Sequence, residues 1–334
     1  MHVLFCLRRL LSFRPVVPLT SWLVASCVVL ALGGCAAPAS SPPASSSVTA
    51  GAPVRLDETP RIAVMSAFEP ELTLLLNRLQ TPARHRINGI DFTTGTLQGK
   101  PVVLFLSGIS MVNASMSTQM VLDRFNVTHI VFSGIAGGVN PALHIGDVSV
   151  PAQWGQYLEV LMARETAPGQ FTVPERMVGQ TLPPFGMLYP RPVETRTAAN
   201  PTPVRKFWFE VDPKMLEVAR GLSSIELGAC NAGVCLVHKP QLMVGGNGVS
   251  GQAFVDNAAF REYAFKTFQS SVLDMETAAV GMVAYSNSVP YIAFRSLSDL
   301  AGGGKEANEM ETFMHIAADN SAKVLLAFLS AWRP

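Results

Sequence analysis

Two stretches of the chain, Val272-Leu273-Asp274-Met275-Glu276-Thr277 and Phe294-Arg295-Ser296-Leu297-Ser298-Asp299, each read as a short apolar strand that delivers a carboxylate at its C-terminal end. A helix starting at Thr277 separates them. Open α/β sheets bind ligands at that edge. One acid, Glu276, follows an apolar Met, and the other, Asp299, follows a Ser. Such a pair suits the binding of sugar hydroxyls and the transfer of a proton. A third acid, Glu71, follows the first apolar strand and so belongs to the same edge. Singly, Asp299 also reads as a helix cap or ion-pair partner, and Glu276 as a complement to a helix dipole. Three acids after three strand ends favour a shared site.

The elements that must hold these residues follow from apolar pattern and punctuation. Residues 61–68 form a continuous apolar run, a buried strand. Glu69-Pro70-Glu71-Leu72 opens a helix, with Pro in the first turn and acids near the N-terminus. Its apolar face uses Leu72, Leu75, Leu76 and Leu79. Extended segments at 90–97 and 101–106 flank a turn at Gln98-Gly99-Lys100. A helix over 111–125 leads to a strand at 129–132, which ends in Ser133-Gly134-Ile135-Ala136-Gly137-Gly138. Glycines just past a strand let backbone N–H groups approach a ligand closely. Residues 145–151 are a further strand.

Prolines crowd the segment from about 158 to 238. It reads as a long excursion folded against the mouth of the domain, with one short helix after Asp212-Pro213. The core resumes at 240–244, followed by a helix from Asp256-Asn257 to 268, a strand at 272–274, a helix over 277–286, a strand at 291–296 and a long C-terminal helix ending near Trp332. This alternation predicts an α/β fold of three layers, α/β/α, on a mainly parallel mixed sheet.

The chain has 334 residues. Arg8, Arg9 and Arg14 precede an apolar run from 16 to 32, a secretory pattern. Leu32-Gly33-Gly34-Cys35 resembles a bacterial lipobox, in which Cys35 becomes lipidated. Cleavage near Ala36 and an uncleaved anchor are the alternatives. Residues 1–34 are thus expected to be a signal peptide and 35–58, rich in Ala, Pro and Ser, a flexible tether. Residues 59–334 remain as one large domain. The expected location is the periplasmic side of a bacterial membrane, touched only through the lipid.

The whole chain carries 25 basic and 24 acidic side chains; without the three leader arginines, 22 face 24. The mature part has no basic stripe, which argues against a nucleic-acid surface. Cys230 and Cys235, in C-x4-C spacing, read as a disulfide closing a short loop. A metal site there would need two more ligands, and only His238 is near.

Two glycine-rich segments invite phosphate chemistry. Gly246-Asn247-Gly248-Val249-Ser250-Gly251 matches G-x-G-x-x-G, with Asp274 further on as a dinucleotide site would want. The next helix cap, Asp256-Asn257, comes too late, and Phe254 stands where the pyrophosphate turn should pack. Gly302-Gly303-Gly304-Lys305 lacks the Ser or Thr of a phosphate loop and reads as a loop over a site.

Over most of residues 61–330 the chain resembles the nucleoside phosphorylase/nucleosidase superfamily. The resemblance rests, in order, on Ala67-Phe68-Glu69-Pro70-Glu71, Ser107-Gly108-Ile109, Gly134-Ile135-Ala136-Gly137-Gly138, Ile145-Gly146-Asp147, Asp274-Met275-Glu276 and Ser298-Asp299. Within it, the chain is similar to bacterial methylthioadenosine/S-adenosylhomocysteine nucleosidases. The excursion, Val211-Asp212-Pro213-Lys214, Asn247-Gly248-Val249-Ser250 and residues 297–304 look more like the plant bark and vegetative storage proteins.

The resemblance implies a purine nucleoside as substrate, no metal or organic cofactor, and a homodimer. It implies that Asp299 protonates the leaving base at N7 and that Glu276 binds the ribose hydroxyls, with Met275 under the sugar. Phe254 would stack on the base, the Val255 backbone would meet its edge, and Gly137 would line the site. Glu71 would orient and deprotonate water, helped by Ser107 and Arg295. Phosphorylases of this superfamily hold phosphate with arginines near the first turn and in the loop after the third strand. Here Ser66-Ala67-Phe68-Glu69 and Ser107-Gly108-Ile109-Ser110-Met111 contain none. Hydrolysis is therefore expected; phosphorolysis, or a non-enzymatic binding or storage role on the same fold, are the rivals. Gln252 replaces an Asp common in the nucleosidases, and Ser110-Met111 replaces Gly-Lys.

Overall fold

The computed structural model describes residues 54–333. The leader, Cys35 and most of the expected tether lie outside the described residues. Twelve strands form one mixed sheet. In chain order they are β1 (Asp57–Ser66), β2 (Gln80–Ile87), β3 (Ile90–Leu97), β4 (Lys100–Leu106), β5 (Phe125–Gly138), β6 (Val148–Val150), β7 (Gln153–Gln156), β8 (Trp208–Glu210), β9 (Leu242–Val244), β10 (Asn247–Ser250), β11 (Ser270–Asp274) and β12 (Tyr291–Asp299). The sheet order is β8-β7-β10-β11-β5-β1-β4-β3-β2; β12 lies against β5 and β6, and β9 against β6. Parallel pairs make the centre: β1 with β4 and β5, β12 with β5, and β10 with β7 and β11. Antiparallel pairs β2-β3, β3-β4 and β8-β7 finish the edges, and the antiparallel pairs β11-β5 and β12-β6 interrupt the parallel centre.

The helices are α1 (Glu69–Arg78), α2 (Met111–Arg124), α3 (Pro213–Arg220), α4 (Ala258–Phe268), α5 (Thr277–Asn287) and α6 (Met310–Ala331). Helix α1 packs with α6, and α2 with α5, as two layers against the sheet. Central strands covered on both faces must be apolar throughout. Accordingly Ala63, Val64 and Met65 of β1, Ile130–Phe132 of β5 and Ile292–Phe294 of β12 are fully buried. Helix starts agree with the sequence: the Asn257 and Asp212 side chains accept the N–H of Phe260 and Met215 at 2.9 Å each.

Four sequence expectations change. Strand β2 was not anticipated; it is a largely exposed edge strand without alternating polarity. Leu76 is 41% exposed and leaves the apolar face of α1. The excursion is shorter than expected, because β8 pairs with β7 and α3 buries Met215 and Ala219 in the main core. Its remainder, 158–207, consists of small hairpins whose Phe185 ring packs 5.1 Å from Phe260 and 5.2 Å from Tyr263 of α4. Strand β1 begins at Asp57, two residues inside the expected tether. Cys230 and Cys235 face each other across a two-stranded turn, their Cα atoms 4.1 Å apart.

Candidate active site

A cavity opens at the C-terminal edge of the sheet, the edge at which open α/β sheets bind ligands. Glu71, Asp274, Glu276 and Asp299 all line it, with Phe68, Ile109, Met275, Phe254, Val255, Gly137 and Met310. The acids come from three chain segments that only the sheet brings together.

Glu71 is placed by the start of α1. Phe68 caps the helix in extended conformation (φ −146°) and Pro70 occupies the first turn, where its missing N–H costs nothing. The Glu71 side chain folds back, so Oε2 accepts the N–H of Ala67 at 2.6 Å and of Phe68 at 3.4 Å. Its Oε1 accepts the N–H of Ile135, on β5, at 2.7 Å. Burial pushes this carboxyl above its usual range, against the opposing pull of Arg295 and these N–H groups.

Glu276 precedes α5. Its Oε1 accepts the Ser110 N–H at 2.8 Å. Ser110 holds φ +80°, ψ 162° to present that N–H, a conformation ordinarily left to glycine. Burial, together with the neighbouring Asp274 and Glu71 charges, outweighs Arg295 and pushes the Glu276 carboxyl up to about 7. Asp299 ends β12. Its Oδ1 accepts the Ala301 N–H at 2.8 Å and its Oδ2 accepts the Ser298 hydroxyl at 2.9 Å. Burial raises its carboxyl despite these donors and the Asn308 amide. A Cβ on Gly137 would stand 3.2 Å from Asp299 Oδ1, so the glycine leaves that oxygen room.

One wall is the irregular segment after β10, with Ala253, Phe254 and Val255. Phe254 is 55% exposed at the mouth, free to cover a planar ligand. The loop after β12 rests on this segment: Asn257 N–H donates to Ala301 O at 3.1 Å, and the Asn308 amide to Asp256 at 3.1 Å. This loop contains Gly302–Gly304, with Lys305 exposed.

Two expected site residues stand elsewhere. Ser107 is 2% exposed and does not line this cavity; its hydroxyl donates to Gly108 O at 2.9 Å. Its backbone still pairs with Ser66 at the end of β4, which turns the side chain away. Arg295 is fully buried behind the wall. Its guanidinium lies 4.0 Å over the Phe132 ring and faces Asp274, Glu276 and Glu71. Asp274 is the site residue that sequence reasoning passed over. The G-x-G-x-x-G segment is not a phosphate cradle: Asn247–Ser250 is strand β10, and a Cβ on Gly248 would meet the Trp154 ring at 2.6 Å.

Glu71, Glu276 and Asp299, each raised by burial, thus share one cavity with the exposed Phe254 ring at its lip. The chain belongs to the Phosphorylase superfamily, whose family model matches residues 61–330. It is 30% identical over 272 residues to the 5'-methylthioadenosine/S-adenosylhomocysteine nucleosidase of Bacillus licheniformis, covering 80% of this chain and 98% of that one. The Lysinibacillus sphaericus nucleosidase of the same name is 30% identical over 274 residues, with 81% and 99% covered. The nucleosidase from Colwellia psychrerythraea, solved in complex with adenine, superposes with TM-score 0.61 at 25% identity, covering 81% of this chain and 95% of that one.

Proposed function

We propose that this protein hydrolyses the N-ribosyl bond of an adenosine-like purine nucleoside, of the 5'-methylthioadenosine/S-adenosylhomocysteine type, to free base and the ribose part. One observation carries the reading: Glu71, Glu276 and Asp299 line a single cavity. Cleavage builds positive charge on the sugar and negative charge on the base. Asp299, buried and inclined to hold its proton, donates to the leaving base, which departs neutral. Glu276 accepts from the ribose hydroxyls, over Met275. Glu71, inclined to take up a proton, orients and deprotonates the attacking water. Phe254 stacks on the base beside Val255. These contacts stabilise the transition state more than the ground state.

Water rather than phosphate is favoured because the first turn and the loop after β4 lack arginine, and Arg295 is already engaged by three carboxylates. The test is adenine release from a purine nucleoside panel, with and without inorganic phosphate. Release that requires phosphate would make the enzyme a phosphorylase. Tight nucleoside binding without turnover would favour the binding or storage role.

The chain is further read as an exported lipoprotein anchored through Cys35, with Cys230 and Cys235 disulfide-bonded. The leader pattern and the facing cysteines support this. Self-association as a homodimer is supported by Ile109, Val112 and Met116, exposed by 50%, 67% and 49% beside the cavity mouth.

A further inference from the structure

Arg295 meets its three carboxylates at unequal distances. Nε lies 2.8 Å from Asp274 Oδ2, Nη2 lies 3.4 Å from Glu276 Oε2, and Nη1 lies 3.9 Å from Glu71 Oε1. Asp274 is also the most firmly held of the three. The hydroxyls of Ser250 and Thr277 donate to it, and so do the backbone N–H groups of Glu276 and Thr277, each at 3.2 Å. Ser250 Oγ in turn accepts the Ala278 N–H at 2.8 Å. Thr277 Oγ1 accepts from Nε and Nη2 of Arg295, at 3.0 and 2.8 Å. These contacts fix the guanidinium toward Asp274.

We propose that Asp274 is a positioning residue that sets the charge of the sugar-binding carboxylate: by occupying the near side of Arg295, it keeps the cation from neutralising Glu276. This rests on the hydrolase reading for its consequence, though not for its geometry. The charged groups facing Glu276 are Glu71 from α1, Asp274 from β11 and Arg295 from β12. The α2 side contributes the Ser110 N–H. With Asp274 in place, two like charges and burial oppose ionisation of Glu276, and one half-withdrawn cation favours it. The sugar-binding carboxylate then titrates near neutrality instead of in the ordinary acid range. Ribose binding, which needs the ionised form as acceptor, becomes dependent on pH there.

Asp274→Asn removes one like charge and frees the guanidinium to turn toward Glu276. The acid limb of kcat/KM moves down by about one pH unit, so the variant keeps about fivefold more of its own plateau at pH 6 than the wild type does. Asp274→Glu, which restores the charge, restores the limb. A purely structural role would lower activity evenly across pH and leave the limb where it was, and that result overturns the proposal. Carboxyl-carbon NMR titration of Glu276 in the ligand-free protein reads the same shift without any turnover. An enzyme that cleaves no nucleoside but shows the NMR shift refutes the hydrolase reading and spares this one. If Asp274→Asn does not accumulate as folded protein, Thr277→Val, which frees Arg295 from Thr277 Oγ1, moves the Glu276 midpoint in the same direction by less. An unmoved midpoint there overturns the proposal.

Discussion

Replacing Asp299 by Asn separates proton donation from binding more cleanly than any other single change. The carboxylate accepts from the Ala301 N–H at 2.8 Å and from the Ser298 hydroxyl at 2.9 Å, with the Asn308 amide nearby. An Asn keeps its carbonyl oxygen on the Ala301 N–H. Its NH2 then faces Ser298 Oγ, whose hydroxyl rotates from donor to acceptor. The side-chain volume is unchanged, so folding stability stays within about 1 kcal/mol of wild type. What disappears is the transferable proton. General acid assistance of this type supplies ~10²–10⁴-fold, or about 2.7–5.4 kcal/mol of barrier. We expect kcat to fall by that factor, with KM changed only a few-fold.

The assay is adenine release over pH 5–9, paired with a riboside whose aglycone leaves as a stable anion. The wild type loses activity as pH rises through the titration of Asp299, which burial places above that of an ordinary carboxyl. In the Asn variant that fall is absent. The riboside that needs no protonation is spared most of the loss. A variant within tenfold of wild-type kcat on adenosine-like substrates, or one equally impaired on both leaving groups, would refute the role given to Asp299.

Four further outcomes follow from the same geometry. Glu276→Gln keeps the Ser110 contact but loses the ionised acceptor, and nucleoside affinity falls by about tenfold to a hundredfold, the worth of a charged hydrogen bond; calorimetry with a non-cleavable analogue measures it. Because the Glu276 carboxyl is raised to about 7, the folded state binds this proton more tightly than the unfolded chain does. That stabilisation, on the order of 3 kcal/mol, is full below the unfolded carboxyl's 4.5 and is lost as pH rises from there through about 7, so Tm of the ligand-free protein drops between about pH 4.5 and 7 and levels off above. Ser110→Gly relieves a backbone held at φ +80° and raises stability by about 1 kcal/mol, read as a higher urea midpoint. Val112→Lys, at a position 67% exposed near the mouth, shifts the mass measured by light scattering from dimer to monomer.

The parts of the fold visible in the sequence are those decided locally. Strands β1, β5 and β12 show as apolar runs because both faces are covered, and Asn257 and Asp212 show as caps because capping is a one-turn interaction. Strand β2 was invisible because an exposed edge strand needs neither alternation nor β-branched residues. Strand β10 was obscured by Gly248 and the glycines flanking the strand, and Gly248 is required by the Trp154 ring packed against it. The three acids were legible because each follows the C-terminal end of a strand, β1, β11 or β12, and those ends line one cavity. Ser107 was misplaced because sequence gives the strand end but not which way its side chain turns. The part of Asp274 was hidden for a different reason: its partner Arg295 lies on another strand, and the competition among three carboxylates for one guanidinium exists only once β11, β12 and α1 are packed.

That competition also bears on the choice of nucleophile. When Glu71, Asp274 and Glu276 are ionised, one guanidinium serves three carboxylates, and the cluster carries excess negative charge. A unit charge about 4 Å from a carboxylate is worth about 4 kcal/mol at an effective dielectric near 20, close to three powers of ten in rate or affinity. The sign of the incoming group therefore decides. A ribosyl group turning cationic is stabilised by the cluster, and a phosphate anion at the same position is repelled by as much. For phosphate to serve, Arg295 would have to leave Asp274 and cross a wall in which it is fully buried. Neutral water pays no such penalty, and Glu71, fixed by three backbone N–H groups, stands ready to orient it.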